Sequence, residues 1–317
     1  MLIELIRFLV GITGLWVGAE LLVRYSSRLA RSFGVSPVII GLTVVSMGTS
    51  APELVVSLVA AFHHNTDIAL GNIIGSNIAN IGLILGVGAL ICPIDVQKNW
   101  VHREVPFMIF VTLVFMGLGL WGHSLGPPDG AVLLLLMIAF LLYLGKNSLK
   151  EMSTFREAQD ALGNPDRVSL KQRLVYFALA MAGLAILLGG SELTVGAGQT
   201  IARRLGVSDV VIGLTMIAVG TSLPELATTV VGAYRREMDL VVGNVIGSNV
   251  FNLLLIGGVV SLVEPMHLTR AMFTREMPFL LGLSVIVWPT MRYRWNLQRY
   301  EGLLFLLIYA WFVYRIV

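Results

Sequence analysis

Residues 48–57 read GTSAPELVVS and residues 220–229 read GTSLPELATT. Each stretch sits inside a run otherwise built of Val, Ile, Leu, Ala and Met, so polar groups and a proline interrupt two hydrophobic segments in the same way. The two stretches are 172 residues apart, and shifting the whole sequence by 172 brings its halves into register. Over 41–86 against 213–258 there are 22 identities in 46 positions without an insertion. The same offset pairs GVSPVII at 34 with GVSDVVI at 206, REVPF at 103 with REMPF at 275, and Glu20 with Glu192. Chance similarity of apolar helices does not explain this, because the matches include Gly, Asn, Ser, Pro and Glu. The chain is an internal duplication.

Composition sets the class. The 317 residues are 56% hydrophobic and 13% charged, with mean hydropathy +0.83, whereas a soluble domain carries about 25% charged residues. Long apolar runs read as membrane-spanning helices, predicted at roughly 3–23, 37–62, 68–91, 105–121, 130–146, 174–198, 208–234, 240–263, 277–291 and 301–316. The fold class is therefore an all-α polytopic membrane protein with ten transmembrane helices as two five-helix repeats. Five is odd, so the second repeat must enter from the opposite face, making the repeats inverted. The domain reading is 1–146 for the first repeat, 147–173 for a polar cytoplasmic connecting loop, and 174–317 for the second. The start MLIELIRFLVG has no basic region ahead of its apolar stretch, which predicts a retained first span rather than a cleaved signal. A single cysteine, Cys92, excludes an internal disulfide. The net charge of +3 does not indicate nucleic acid, because the basic residues lie between apolar runs.

Lys and Arg also orient the chain. The face holding the loops after odd-numbered spans carries 16 of the 22, and the other face carries 6. This predicts a multi-pass protein of the cell (inner) membrane with both termini outside and the 147–173 loop in the cytoplasm.

The interrupted spans carry the chemistry. Thr49 and Glu53 are spaced i, i+4 and Ser50 and Glu53 i, i+3, so the three share one helical face. Pro52 cannot donate to the carbonyl of Gly48, so the helix should loosen and leave carbonyls near Ser46–Gly48 without intrahelical partners. Broken helix at membrane depth is tolerated where it lines a protein or water cavity. Thr221, Ser222, Pro224 and Glu225 repeat the arrangement. Spans 3 and 8 open with GNIIGSNIAN and GNVIGSNVFN, placing Ser76 with Asn80, and Ser248 with Asn252, at i, i+4. Their glycines 71, 75, 243 and 247 read either as small-residue faces for close helix contact or as part of an ion site. A midplane carboxylate costs about 2.5–3.5 kcal/mol by insertion scales, and no Lys or Arg lies at comparable depth. Protonation or a bound cation remains. The two glutamates, six hydroxyls (Thr49, Ser50, Ser76, Thr221, Ser222, Ser248) and two amides supply twelve side-chain oxygens. One Ca²⁺ takes 6–8 oxygens, so the set suits several neighbouring sites for small hard cations. It contains no thiolate or imidazole, which disfavours zinc, copper and iron. Asp67 and Asp239 read as helix-start residues, and Glu20 and Glu192 as contacts to headgroups or neighbouring helices.

At these motifs the chain resembles the Ca²⁺/cation antiporter superfamily, in particular prokaryotic Na⁺/Ca²⁺ exchangers, whose two signature repeats are similar to G-T-S-x-P-E followed by G-N-x-x-G-S-N. The resemblance covers the whole chain. It implies a secondary active transporter exchanging Ca²⁺ for Na⁺ by alternating access, with spans 1 and 6 sliding past a midplane site from spans 2, 3, 7 and 8. It implies Thr49, Ser50, Glu53, Ser76, Asn80, Thr221, Ser222, Glu225 and Ser248 as site residues, with the backbone carbonyls of Ser46 and Ala218. It implies Ca²⁺ and Na⁺ as transported substrates and no cofactor. Asn252 departs from the pattern, since sodium-coupled exchangers commonly carry Asp there, and it stays in the candidate set as an amide.

Three alternatives follow from the residues. A Ca²⁺/H⁺ antiporter would use the same glutamates. An intramembrane protease would need a Ser–His dyad or two Asp at depth, and the sequence puts His63, His64, His102, His123 and His267 near span ends and no two Asp at depth within spans. A channel usually has symmetry about the membrane normal, whereas an inverted repeat favours a transporter with a central site.

Overall fold

A computed structural model describes residues 1–161, 168–206 and 218–316; the side chains of 154–161, 218–219 and 316 are outside the description. The described chain is helical apart from short connections and four two-residue strands. Helix α1 (Leu2–Phe33) ends where Gly34 takes φ 70°, and its N–H and that of Val35 close back on Arg31 and Ala30. Pro37 then starts α2 (Pro37–Thr49) at a position where no intrahelical donor is needed. At Ser50 (ψ 6°) the helix breaks, and α3 (Ala51–Phe62) leaves at 43° to α2. Helices α4 (Thr66–Ile91), α5 (Trp100–Gly122), α6 (Pro127–Ala161) and α7 (Leu170–Arg204) follow. Then come α8 (Ala218–Thr221), α9 (Leu223–Tyr234), α10 (Met238–Val263), α11 (Met277–Arg292) and α12 (Arg299–Ile316).

Among the described residues six helices are long and apolar enough to cross a membrane, or seven with α2 and α3 counted as one broken span. The protein is an integral membrane protein with several crossings. The expected seventh span lies partly on 208–217, outside the described residues. The polar stretch 147–173 differs from expectation. It is not one loop: α6 continues through Ala161 and α7 starts at Leu170. Residues 147–161 are largely good helix formers, so the helix runs on past its apolar part. Ser169 caps α7: its hydroxyl accepts the Gln172 N–H at 3.2 Å, and Gln172 Oε1 accepts the Ser169 N–H at 3.0 Å.

The 172-residue offset reappears in the backbone. The breaks fall at Ser50 and Ser222, with ψ 6° and 7°. π-helical turns begin at Asn80 and Asn252, and again at Trp100 and Met272. Strand β1 (Ile94–Asp95) corresponds to β3 (Met266–His267), and β2 (Ser124–Leu125) to β4 (Asn296–Leu297). The antiparallel pairings are β1 with β4 and β2 with β3. Exchanging the halves turns one pairing into the other.

The core has two parts. The larger joins α2–α6 to α10–α12 through residues such as Ile73, Ile84, Phe115, Val250 and Leu254. The smaller is built mainly by α1 (Leu15, Ala19, Leu22, Val23) and α7 (Ala180, Leu187). These two helices touch backbone to backbone. A Cβ on Gly190 would lie 2.6 Å from the Leu15 nitrogen, and one on Gly183 2.6 Å from the Leu22 nitrogen. On α10 the close-contact reading of the motif glycines holds: a Cβ on Gly243 would meet the Val38 carbonyl at 2.5 Å, and one on Gly247 the Leu42 Cα at 2.8 Å. A Cβ on Gly71 or Gly75 would meet no described atom within 4 Å beyond its own helix backbone.

Candidate cation site

Both glutamates sit in the first turn of the helix that follows a break, α3 for Glu53 and α9 for Glu225. Proline at the second helical position fits there, because the early N–H groups have no intrahelical acceptor. Those N–H groups give each helix start a partial positive charge, which favours a nearby carboxylate. The breaks thus fix where the glutamates are and make their positions electrostatically tolerable.

Each carboxylate is 1% exposed, and each is held by the other half. Ser222 Oγ donates to Glu53 Oε1 at 3.2 Å, and Ser50 Oγ donates to Glu225 Oε1 at 3.1 Å. The second oxygen of each, Glu53 Oε2 and Glu225 Oε2, is buried with no hydrogen-bond partner. Neither glutamate forms an ion pair among the described residues. α4 and α10 bring the remaining groups. Asn252 Nδ2 donates to Ser76 Oγ at 3.0 Å, joining the halves again, while Ser76 Oγ donates to the Asn72 carbonyl at 2.6 Å. Asn252 Oδ1, both side-chain polar atoms of Asn80, and Ser248 Oγ are buried without partners. Asn80 and Asn252 each open a π turn, the kind of helix distortion often found at functional sites.

Thr49 Oγ1 lies 3.3 Å from Asn244 Oδ1, and Thr221 Oγ1 lies 3.3 Å from Asn72 Oδ1. These asparagines were not in the sequence-derived set. Their signal was legible, because Gly-Asn recurs at 71–72 and 243–244, but the sequence does not reveal that each amide reaches the opposite half. Ser46 behaves differently from expectation: its carbonyl accepts the Ser50 N–H at 2.9 Å and so keeps an intrahelical partner. The bend at Ser50 does not open that bond, since the fourth residue on is not the proline. The Ser46 hydroxyl donates to the Gly41 carbonyl. Ala218 begins α8, and its side chain lies outside the described residues.

The peripheral acids are elsewhere. Glu20 pairs with Arg235, Asp239 accepts Gln97 Nε2 at 2.8 Å, Asp67 lies in the first turn of α4, and Glu192 is exposed. All five histidines are exposed, and no cluster of three His, Cys, Asp or Glu occurs among the described residues. The site is thus two carboxylates amid hydroxyls and amides, an oxygen donor set with two negative charges that suits hard cations.

The profile of the family described as sodium/calcium exchanger protein matches residues 3–146 and matches again over 175–317. The chain belongs to this family. The two matches coincide with the two copies of the repeat. Among relatives, the sodium/calcium exchanger MaX1 of Methanosarcina acetivorans is 32% identical over 342 residues, covering 98% of this chain and 97% of that protein. The inner membrane protein YrbG of Escherichia coli is 37% identical over 289 residues, covering 90% and 88%. A solved structure of the sodium-calcium exchanger NCX_Mj, soaked with 2.5 mM Na⁺ and 0.1 mM Ca²⁺, superposes with TM-score 0.85 at 34% identity, covering 98% of this chain and 97% of that one. The protein is a cation antiporter of prokaryotic type and not an enzyme.

Proposed function

We propose that the protein exchanges Ca²⁺ for Na⁺ across the cell (inner) membrane, with both ions as substrates of one site and no cofactor. The ligands in this reading are Glu53, Glu225, Thr49, Ser50, Ser76, Asn80, Thr221, Ser222, Ser248 and Asn252, with the carbonyls of Ser46 and Ala218. The observation that carries it is the pair of buried carboxylates, each with one oxygen on the opposite half's serine and the other without a partner. Two charges of −1 neutralise one Ca²⁺. A buried charge with no compensation costs several kcal/mol, which favours a site that always carries cations or protons. Protons are the basis of the second reading, Ca²⁺/H⁺ antiport, favoured by the same two carboxylates.

The architecture we infer is ten crossings in two inverted halves, 1–146 and 174–317, joined by 147–173. Contacts at the helix ends support it. On that count β1 and β4 are separated by six crossings and β2 and β3 by four. An even number returns the chain to the same side, as each pairing requires. Arg31 with Glu237, Gln97 with Asp239, the Ser36 N–H with Glu151, and His64 with Glu264 also join connections of equal parity. The basic asymmetry supports termini outside and 147–173 in the cytoplasm.

The test is binding in detergent. The purified protein should bind Ca²⁺, and Na⁺ should displace it at constant pH. Ca²⁺ binding indifferent to Na⁺ but released on lowering pH would replace this reading with the proton-coupled one.

A further inference from the structure

We infer that the turn between α9 and α10 latches the cytoplasmic end of α1 and so biases the antiporter toward the state open to the outside. The latch joins Arg235 and Glu237 to Glu20, Ser27 and Arg31, and it rests on the antiport reading and the orientation proposed above. Glu237 accepts three hydrogen bonds from α1. Arg31 Nη2 donates to its Oε1 at 2.8 Å and its Oε2 at 2.7 Å, and Ser27 Oγ donates to Oε2 at 3.0 Å. Arg235 pairs with Glu20 nearer the middle of α1. The side chains of Glu237 and Glu20 are 17% and 28% exposed, so water competes for them only in part. α1 and α7 share a core separate from the one that joins α2–α6 to α10–α12. A shift of these two helices can leave the larger core intact, but it must part α1 from the turn.

The other half builds the same turn from different side chains. Positions 63–65, between α3 and α4, match 235–237, and His64 and Arg236 take φ 54° and 57°. The Asn65 N–H reaches the Ala60 carbonyl at 2.8 Å, as the Glu237 N–H reaches that of Gly232 at 2.9 Å. The side chains are His63, His64 and Asn65 against Arg235, Arg236 and Glu237. The carboxylate that receives Arg31 and Ser27 therefore has no counterpart in the first half. Glu192, the counterpart of Glu20, forms no ion pair among the described residues. In an inverted repeat the two turns stand at opposite faces, and alternating access closes one face while it opens the other. Closure at the cytoplasmic face thus draws on ion pairs that the sequence does not repeat at the outer face, which makes the two states unequal.

Sided uptake tests the latch. Right-side-out and inside-out membrane vesicles holding the parent, Glu237→Gln, Arg31→Gln or the double variant are loaded with Na⁺. Initial Ca²⁺ uptake against bath Ca²⁺ gives the half-saturating concentration at each face. Apparent affinity at a face scales with the fraction of protein open to it, and an ion pair near the surface shifts an equilibrium by about 1.5- to 5-fold. Each single variant should therefore lower half-saturating Ca²⁺ at the cytoplasmic face by roughly two- to fivefold without lowering it at the outer face. The double should go no further than the larger single change. Neutralising an acid and neutralising a base change the surface concentration of Ca²⁺ in opposite directions, so a shared direction isolates the pair. Glu20→Gln should shift the same way through the second pair. A rise at both faces, which damaged packing gives, would overturn the inference. So would opposite shifts in the two singles, multiplicative shifts in the double, or a fall confined to the outer face. Parent vesicles that take up no Ca²⁺ under a Na⁺ or a pH gradient remove the antiport reading and this inference with it, whereas normal parent uptake with unshifted variants removes the inference alone.

Discussion

Replacing Glu53 or Glu225 by glutamine removes one of two charges while keeping side-chain shape. Each carboxylate is 1% exposed, so water cannot make good the loss. The serine partner can adapt, because Ser222 can accept from a glutamine amide as readily as it donates to Glu53 Oε1 at 3.2 Å. The cation cannot. Its ligand becomes either a weaker neutral oxygen or an N–H₂ group that repels it. Removing one partner of a buried charge pair costs about 3–5 kcal/mol, and 1.4 kcal/mol is a factor of ten. Ca²⁺ affinity should therefore fall between about a hundredfold and a few thousandfold. The near-equivalence of the two environments predicts that the two variants fall by similar factors. Titration of purified, monodisperse protein with labelled Ca²⁺ reads this directly. Half-saturation within threefold of the parent for either variant would refute the reasoning, since the buried charge would then have no role in holding the ion.

Three further outcomes follow. In a Cys92→Ala background, Pro127→Cys should react with an impermeant maleimide on intact cells and Ser153→Cys should not, both positions being exposed; the reverse labelling overturns the orientation. Asn252→Asp adds a third carboxylate and removes the donor that Asn252 Nδ2 supplies to Ser76 Oγ at 3.0 Å, so Ca²⁺ should bind more tightly and leave more slowly at pH 9 than at pH 5.5, relative to the parent. Superimposable profiles would take residue 252 out of the site. Gly190→Ala puts a methyl 2.6 Å from the Leu15 nitrogen, against an ordinary contact of about 3.5–4.0 Å; α1 and α7 must separate by roughly 1 Å, and overpacking of this kind costs about 1–3 kcal/mol. Its thermal unfolding midpoint in detergent should drop by several degrees, and an unchanged midpoint would contradict the backbone contact.

The two GTSxPE stretches made the duplication and the broken helices legible, because a proline among apolar residues has few structural outcomes. The grouping of Glu53 with Ser222, and Glu225 with Ser50, follows from the same repeat once the halves face one another. The contacts that Asn72 and Asn244 make with the opposite half were hidden. Which atom an amide meets across a helix interface depends on register between the halves, and hydropathy carries no record of it. The continuation of α6 through Ala161 was hidden for another reason: apolarity marks where lipid ends, not where hydrogen bonding along a helix ends. The retained Ser46 carbonyl bond shows the limit of the proline argument, which removes one named donor and leaves its neighbours intact.

Ca²⁺ uptake into proteoliposomes tests the central claim most directly. Vesicles loaded with Na⁺ and diluted into Na⁺-free medium containing labelled Ca²⁺ should accumulate it. The same vesicles without a Na⁺ gradient should not, and a pH gradient alone should not replace it. Uptake driven by the pH gradient and indifferent to Na⁺ would contradict Na⁺/Ca²⁺ exchange.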